Sequence, residues 1–406
     1  MVPVLQDERK ETMAPPPLDG LRVLDLSDGI AGPFCAKLLG DYGAEVIKVE
    51  KPGSGDWTRR RPPFFKGERG LEHSLLFAYL NTSKRSVTLD MDLAFGREAV
   101  RRLAQTSDVL VLSDPLKRLD EWFGDREKLR QENPRLVAAS IPFFQSDGPY
   151  ANYKATELNL CAISGLMSLA SKDERGHLKA GGYQAQYMAG IQACAMTLFA
   201  AYKAKKTGQG CLLESSVIES NAKVHAHMRD YVPGAKRERP AQIQEGSAWQ
   251  CRDGFITVML YYYQMATLGE LIGAPHIAND ASIGTEVNLR DSRHVWEPPL
   301  RAWLKTKTAE EAQREGQERH LLFTKVSSTK DVVESEHLNE RNFFTEVNHP
   351  VMGTAKYPIG PFRLTASPLP QPAPAPALGE ANDLVLGDWL GFSEQELAGA
   401  RSAGFV

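Results

Sequence analysis

Residues 18–56, LDGLRVLDLSDGIAGPFCAKLLGDYGAEVIKVEKPGSGD, constrain the fold more than any other part of the chain, because they read as strand, helix and strand with tight joints. Val23, Leu24 and Leu26 form a short apolar run suited to a buried parallel strand. The turn from Ser27 to Gly32 carries two glycines where backbone must pass closely. Phe34, Leu38 and Leu39 then recur at helical spacing, and Gly43 lies where a left-handed C-cap is expected. Val46, Ile47 and Val49 centre a second strand over 45–50. The segment is one βαβ unit, and it predicts a doubly wound parallel sheet.

Further strands are expected at 109–112 and 137–141, and the small residues mixed with apolar ones over 157–204 suit closely packed helices. Residues 249–258 read as a hairpin that opens a smaller domain. Residues 332–344 read as a helix, and 367–377, with a proline at every second position from Pro368 to Pro376, as an extended strap. The expected division is an arm over 1–17, a large Rossmann-like α/β domain over 18–225, a small domain over 226–330 and a return segment over 331–406 that completes the large domain. A length of 406 residues suits two cores, and an apolar fraction of 42% fills them.

The wording of the chain resembles the class III CoA-transferases, the CaiB/BaiF family, whose opening is close to LxGxRVLDL followed by AGPxxxxxLxxxGAxVIKVExPxxGD. The resemblance continues through NTSKRSV at 81–87 with Leu89 and Asp90, DGPY at 147–150, TGQG at 207–210, PFRL at 361–364 and LGE at 378–380, and so covers 17–406. It implies the CaiB/BaiF fold, a Rossmann-like large domain with a smaller α+β domain, and an interlocked dimer in which each chain threads the other. It also implies a coenzyme A thioester as substrate, with no tightly bound cofactor.

In that family a carboxylate four residues before a glycine attacks the acyl-CoA thioester, giving a mixed anhydride and then an enzyme-bound CoA thioester. The matching stretch here is GGYQAQYMAG at 181–190, with Gly190 as the marker and Gln186 at the nucleophile's position. A neutral amide offers no anionic oxygen, so the site is expected to be silent. Residues 178–200 contain no Asp or Glu. Asp173 and Glu174, in a charged turn, and Glu214, on an expected strand, are the nearest substitutes in sequence.

Other departures point the same way. Where the family carries an Asn and an aromatic residue, this chain has Ser113 and Asp114; Pro142 and Phe143 replace a glycine-bearing turn; and Asp92 replaces a frequent lysine, placing like charge where a CoA phosphate would lie. Gly29, Ile30, Ala31 and Lys51 remain at positions that line the CoA pocket in relatives, although the glycines also serve the turn, and Lys51 with 59–61 also reads as ordinary charged surface.

The resemblance reaches further, to the paired-subunit succinyl-CoA:benzylsuccinate transferases of anaerobic aromatic degradation, in which one chain lacks the nucleophile. On that reading the chain is a non-catalytic subunit whose partner is a related CoA-transferase chain carrying the Asp, as a heterodimer or a dimer of heterodimers. The alternatives are a homodimeric CoA-transferase or acyl-CoA racemase using another residue, for which His177 is the nearest histidine in sequence, or a non-enzymatic acyl-CoA sensor.

Composition excludes other classes. A net charge of −3 gives no reason to expect nucleic acid or an anionic membrane as partner. Five scattered cysteines without a CxxC pair, together with a charged start and no long apolar run, suit a reduced cytoplasmic chain. His225 and His227 lack a third ligand at fixed spacing, so no metal site is expected. Tyr261, Tyr262 and Tyr263 have no basic interleaving and read as strand or interface residues.

Overall fold

Alternating apolar residues with opposite destinations build the central sheet. The chain is described from a computed structural model covering residues 14–169, 177–224, 248–285, 289 and 291–406. Asp173, Glu174, His225, His227 and most of the N-terminal arm lie outside the described residues. Contacts divide the chain into one unit of 1–226 with 341–406 and another of 227–340.

In the first unit the strands are β1 (Arg22–Asp25), β2 (Glu45–Glu50), β3 (Lys84–Thr88), β4 (Val109–Leu112), β5 (Val137–Ser140) and β6 (Cys211–Glu214). They form one six-stranded sheet in the order β3-β2-β1-β4-β5-β6, and every pairing is parallel. This is the doubly wound order, and its switch point lies between β1 and β4. The helices are α1 (Ala31–Asp41), α2 (Leu75–Leu80), α3 (Ala94–Thr106), α4 (Lys117–Phe123), α5 (Arg126–Glu132), α6 (Glu157–Ile163), α7 (Leu166–Leu169), α8 (Gln184–Thr207) and α9 (Val217–Val224).

Because side chains alternate along a strand, Leu24, Leu110 and Leu112 point to one core with α3, while Val23, Val109 and Val111 point to the other with α1 and α8. Each such side chain contributes about 1.5–3 kcal/mol by leaving water. Ala381, Val385, Leu386 and Leu397 join the first core, so the chain's end completes the face that its beginning opens. The second core is lined by small residues of α8, namely Ala185, Ala189 and Ala193. A Cβ on Gly190 would come within 2.7 Å of the Ala31 carbonyl oxygen, which gives this glycine a packing reason of its own.

The proline strap lies along the sheet without joining it. Ser83 N–H donates to the Ala373 carbonyl at 3.0 Å, and Arg59 Nη2 donates to Pro376 O at 3.0 Å. The smaller unit has its own three-stranded sheet, with β7 (Ala248–Gln250), β8 (Phe255–Met259) and β9 (Leu322–Lys325) in sequence order, and a core containing Trp249, Trp296 and Phe323. The hairpin expected at 249–258 is the antiparallel β7–β8 pair. The helix expected over 332–344 is absent as such. Short helices at Thr329–Val333 and Glu336–Glu340 end before Asn342, whose φ of 49° breaks the turn, and Phe344 already begins β10 (Phe344–His349), which pairs with β11 (Gly353–Pro358).

Charges, unusually, hold the sheet's centre. Asp25 ends β1, Lys48 lies within β2 and Lys84 begins β3, and all three are buried. Lys84 Nζ donates to Asp25 Oδ2 at 2.8 Å, Pro33 O at 2.8 Å and Asn81 Oδ1 at 2.9 Å, which uses its three protons. Lys48 Nζ reaches Asp56 Oδ2 at 2.7 Å and Ser27 O at 2.9 Å. Burial works to raise the Asp25 carboxyl, but Lys48 and Lys84 outweigh it and hold the group below the ordinary carboxylate range. Lys84 loses that contest: burial and the neighbouring Lys48 charge bring it down to about 8 despite Asp25. Breaking such a buried set leaves an uncompensated charge. Asp25→Asn is expected to cost about 3–5 kcal/mol in urea unfolding, whereas Arg102→Ala, which removes an exposed helix pair with Glu98, should cost less than about 1 kcal/mol.

Candidate active site

Gln186 sits in the first turn of α8 and is 7% exposed. Its Nε2 donates to Glu157 Oε2 at 3.2 Å, while the N–H of Ala185 donates to Glu157 Oε1 at 2.8 Å and Cys161 Sγ lies 3.4 Å from the same oxygen. Glu157, also buried, opens α6, and no sequence spacing points to it because it lies 29 residues before Gln186 on another helix. Its placement follows from helix packing: Asn221 of α9 donates to the Ala185 carbonyl at 2.8 Å and holds the head of α8 against α9, while Glu157 itself ties that head to α6. Burial, reinforced by the adjacent Glu157, pushes the Cys161 thiol up to about 11, so this sulfur stays protonated as a donor.

Beside Gln186, Tyr187 meets Phe34 edge-on at 4.8 Å and faces Tyr79 at 6.3 Å. Ile30, Phe34, Leu76 and Leu80 form the small core behind this aromatic layer, with Trp57 and Tyr183 packed on it. Ile30 and Ala31, expected along a CoA pocket, are buried with their side chains in these cores. Their backbone is what remains for a ligand.

The switch point is where a doubly wound sheet ordinarily opens to its ligand. Here Ser113, just past β4, donates its hydroxyl to Asp28 O at 2.7 Å and accepts from Asp28 N–H at 3.1 Å, bridging the crevice to the β1–α1 turn. A Cβ on Gly32 would meet Ser27 Cβ at 2.3 Å and Ser113 Oγ at 2.8 Å, so the glycine answers to this close approach. Gly29 adopts a φ of 85°, as the turn requires. Lys51 pairs with Asp92 at 3.4 Å and lies 4.0 Å from Asp90. The acid expected to repel a phosphate thus also occupies the base expected to attract one.

Pro142 is buried and Phe143 half-buried, and their carbonyls accept from Val217 and Ile218 to seat α9. Asp114 contributes its carbonyl to Ser140 Oγ at 2.6 Å. Glu214, on β6, accepts from Ser146 N–H at 2.7 Å and so is committed to the loop after β5. Arg59, read from sequence as surface, is fully buried: Nε and Nη2 bind Glu50 at 2.7 and 2.9 Å, Nη1 binds Glu72 at 2.7 Å, and the guanidinium stacks 3.6 Å over Phe77. Tyr261 stacks on Tyr263 at 5.4 Å in a short turn rather than on a strand. Among the described residues no cluster of three or more His, Cys, Asp or Glu is arranged to hold a metal, and no helix is long and apolar enough to cross a membrane.

A family model described as CoA-transferase family III matches residues 18–382. The chain is 29% identical to the succinyl-CoA–D-citramalate CoA-transferase of Chloroflexus aurantiacus over 95% of its length and 96% of the relative's. It is 29% identical to the BbsE subunit of succinyl-CoA:(R)-benzylsuccinate CoA-transferase from Thauera aromatica, over 90% and 92% of the two chains. A formyl-CoA:oxalate CoA-transferase of Streptomyces avermitilis is 30% identical over 96% and 99%. Among solved structures, a CaiB/BaiF family protein from Brucella suis superposes with a TM-score of 0.82 at 26% identity, over 92% of this chain and all of that one.

One titration at this site is open to direct measurement. Partial desolvation and the neighbouring Asp56 push the Asp28 carboxyl up to about 7, although the Trp57 N–H donated to it at 2.6 Å works the other way. The folded chain therefore keeps this proton to about pH 7, whereas the group ionises near 3.8 when unperturbed, so its contribution to stability falls as pH rises between those values. Asp28→Asn keeps the acceptor oxygen and removes the titration. Its melting temperature relative to the parent chain should therefore rise steadily from pH 4 to 7, and a constant difference would count against the shifted carboxyl.

Proposed function

Because the chain belongs to CoA-transferase family III, we propose that it is the non-catalytic subunit of a two-chain CoA-transferase whose related partner carries the nucleophilic Asp. The observation that carries this reading is the amide of Gln186, at the nucleophile's position and spent on Glu157. The reaction begins with a carboxylate oxygen adding to the thioester carbonyl, after which the C–S bond breaks and CoA leaves as thiolate. Gln186 has no anionic oxygen for that step. Closure of the switch point by Ser113 and the pairing of Lys51 with Asp92 support the same conclusion for CoA binding.

The outer face of α8 supports a partner. Ile191, Met196, Phe199 and Tyr202 recur at helical spacing with their side chains exposed, Phe199 by 68% and Tyr202 by 62%. A stripe of this size on a long helix suits an extensive apolar subunit interface. Similarity to a relative described as a subunit makes succinyl-CoA the proposed donor and benzylsuccinate the proposed acceptor.

A second reading rests on Glu157, the buried carboxylate at this site. It would replace the missing nucleophile within the same chain, by the same attack and the same loss of CoA thiolate. Three held hydrogen bonds and burial lower its reactivity, which favours the silent-site reading.

Activity assays and covalent trapping separate the two. The chain alone should be inactive and the mixture with a related Asp-bearing subunit active, with Gln186→Ala leaving the mixture within a few-fold of the original. Gln186→Asp should not create activity in the isolated chain. Incubation with succinyl-CoA followed by hydroxylamine and mass analysis should leave Glu157 unmodified; a hydroxamate there, lost in Glu157→Gln, would establish the second reading instead.

A further inference from the structure

Residues 57–73 carry five basic side chains against two acidic ones in a chain whose net charge is −3. The acids of this neighbourhood are engaged. Glu50 and Glu72 are held by Arg59, Glu72 also accepts from Leu378 N–H at 3.0 Å, and Glu68 lies 3.7 Å from His73. Arg60, Arg61 and Arg69 are left exposed along a cleft of about 800 Å³, and among the described residues none of them has a carboxylate partner. The remaining wall is apolar, formed by Pro62, Phe64 and Leu71.

One of these arginines is already oriented. The Arg61 guanidinium lies 4.0 Å over the Trp57 ring, and Trp57 is fixed by its N–H to Asp28 and by packing against the core of Ile30 and Phe34. That core also carries Tyr187, the neighbour of Gln186. The cleft and the candidate active site therefore both adjoin this apolar cluster. A guanidinium presents a planar fork of donors that matches a carboxylate, and stacking on an aromatic ring lowers the freedom lost when it binds.

We propose that this cleft binds an organic acid, with its carboxylate on Arg61 and Arg69 and its apolar body against Phe64 and Leu71. Shape and lining select this class over a bare phosphate, which would leave the apolar wall wet; the volume suits a small organic acid rather than a lone anion. The ligand class deepens the CoA-transferase reading, in which a free acid is one substrate. It does not depend on whether Gln186 is silent, so either proposal can fail while the other stands.

The experiment is calorimetric titration of the purified protein, together with any subunit that co-purifies, using benzylsuccinate, succinate, inorganic phosphate and adenosine 3′,5′-bisphosphate. Benzylsuccinate should bind more tightly than inorganic phosphate, and Arg61→Ala and Arg69→Ala should each weaken it at least about tenfold while the chain stays folded, since both side chains are exposed and Arg61 gives up only its stacking on Trp57. Arg61→Lys should weaken it comparably, because an ammonium keeps the charge but not the fork. Arg130→Ala, remote in sequence and paired with Glu127, should leave it unchanged. Absence of carboxylate binding, binding indifferent to Arg61 and Arg69, or binding of the bisphosphate alone through these arginines would overturn the proposal.

Discussion

Four buried charges set the terms on which this chain folds. Asp25, Lys48, Lys84 and Asp56 come from β1, β2, β3 and the loop after β2, and all are shut away from water. Bringing them inside carries a desolvation cost that their mutual attraction and their hydrogen bonds offset. The β1–α1 turn is drawn into the same set, because Ser27 donates its N–H to Asp25 at 3.0 Å and its carbonyl accepts from Lys48. Strand order, turn geometry and the position of the loop carrying Trp57 are thereby fixed together. None can shift without exposing or orphaning a charge.

This accounts for which parts of the sequence carry the family likeness. LDL supplies Asp25, IKVE supplies Lys48 and Glu50, GSGD supplies Asp56, and NTSKRSV supplies Asn81, Lys84 and Ser86. Glu50 continues the network by binding Arg59 and accepting from Ser86 Oγ at 2.6 Å, and Arg59 in turn holds the strap through Pro376. The shared motifs thus mark a buried electrostatic scaffold, and their presence reports the fold rather than a working nucleophile.

Local pattern made the sheet legible, and tertiary contact made the rest opaque. The βαβ unit, β4, β5 and the helical packing over 157–204 follow from periodicity and small-residue content, because these properties are written within a few residues of where they act. The helix expected over 332–344 failed because positive φ at Asn342 and strand pairing from Phe344 interrupt a pattern that is helical in composition alone. Arg59 was read as surface because three consecutive arginines resemble a solvated run, yet Glu50 and Phe77 from distant elements enclose the first of them. Glu157 was invisible for the same reason. Its carboxylate reaches Gln186 across a helix–helix contact that no spacing rule encodes.

Gln186 and Glu157 are best understood as a pair. A carboxylate at position 186 would set two anions side by side in a buried site, where one must take up a proton to relieve repulsion. The Gln186 amide instead makes a hydrogen bond to that carboxylate, while Glu157 keeps the N–H of Ala185 at the head of α8. The amide at 186 therefore supports packing of α6 against α8 and presents no anionic oxygen of its own. Ser113 acts in the same direction at the switch point, where it ties the turn after β1 to the end of β4 with two hydrogen bonds. Both contacts hold backbone in place, one at the head of α8 and the other at the turn after β1.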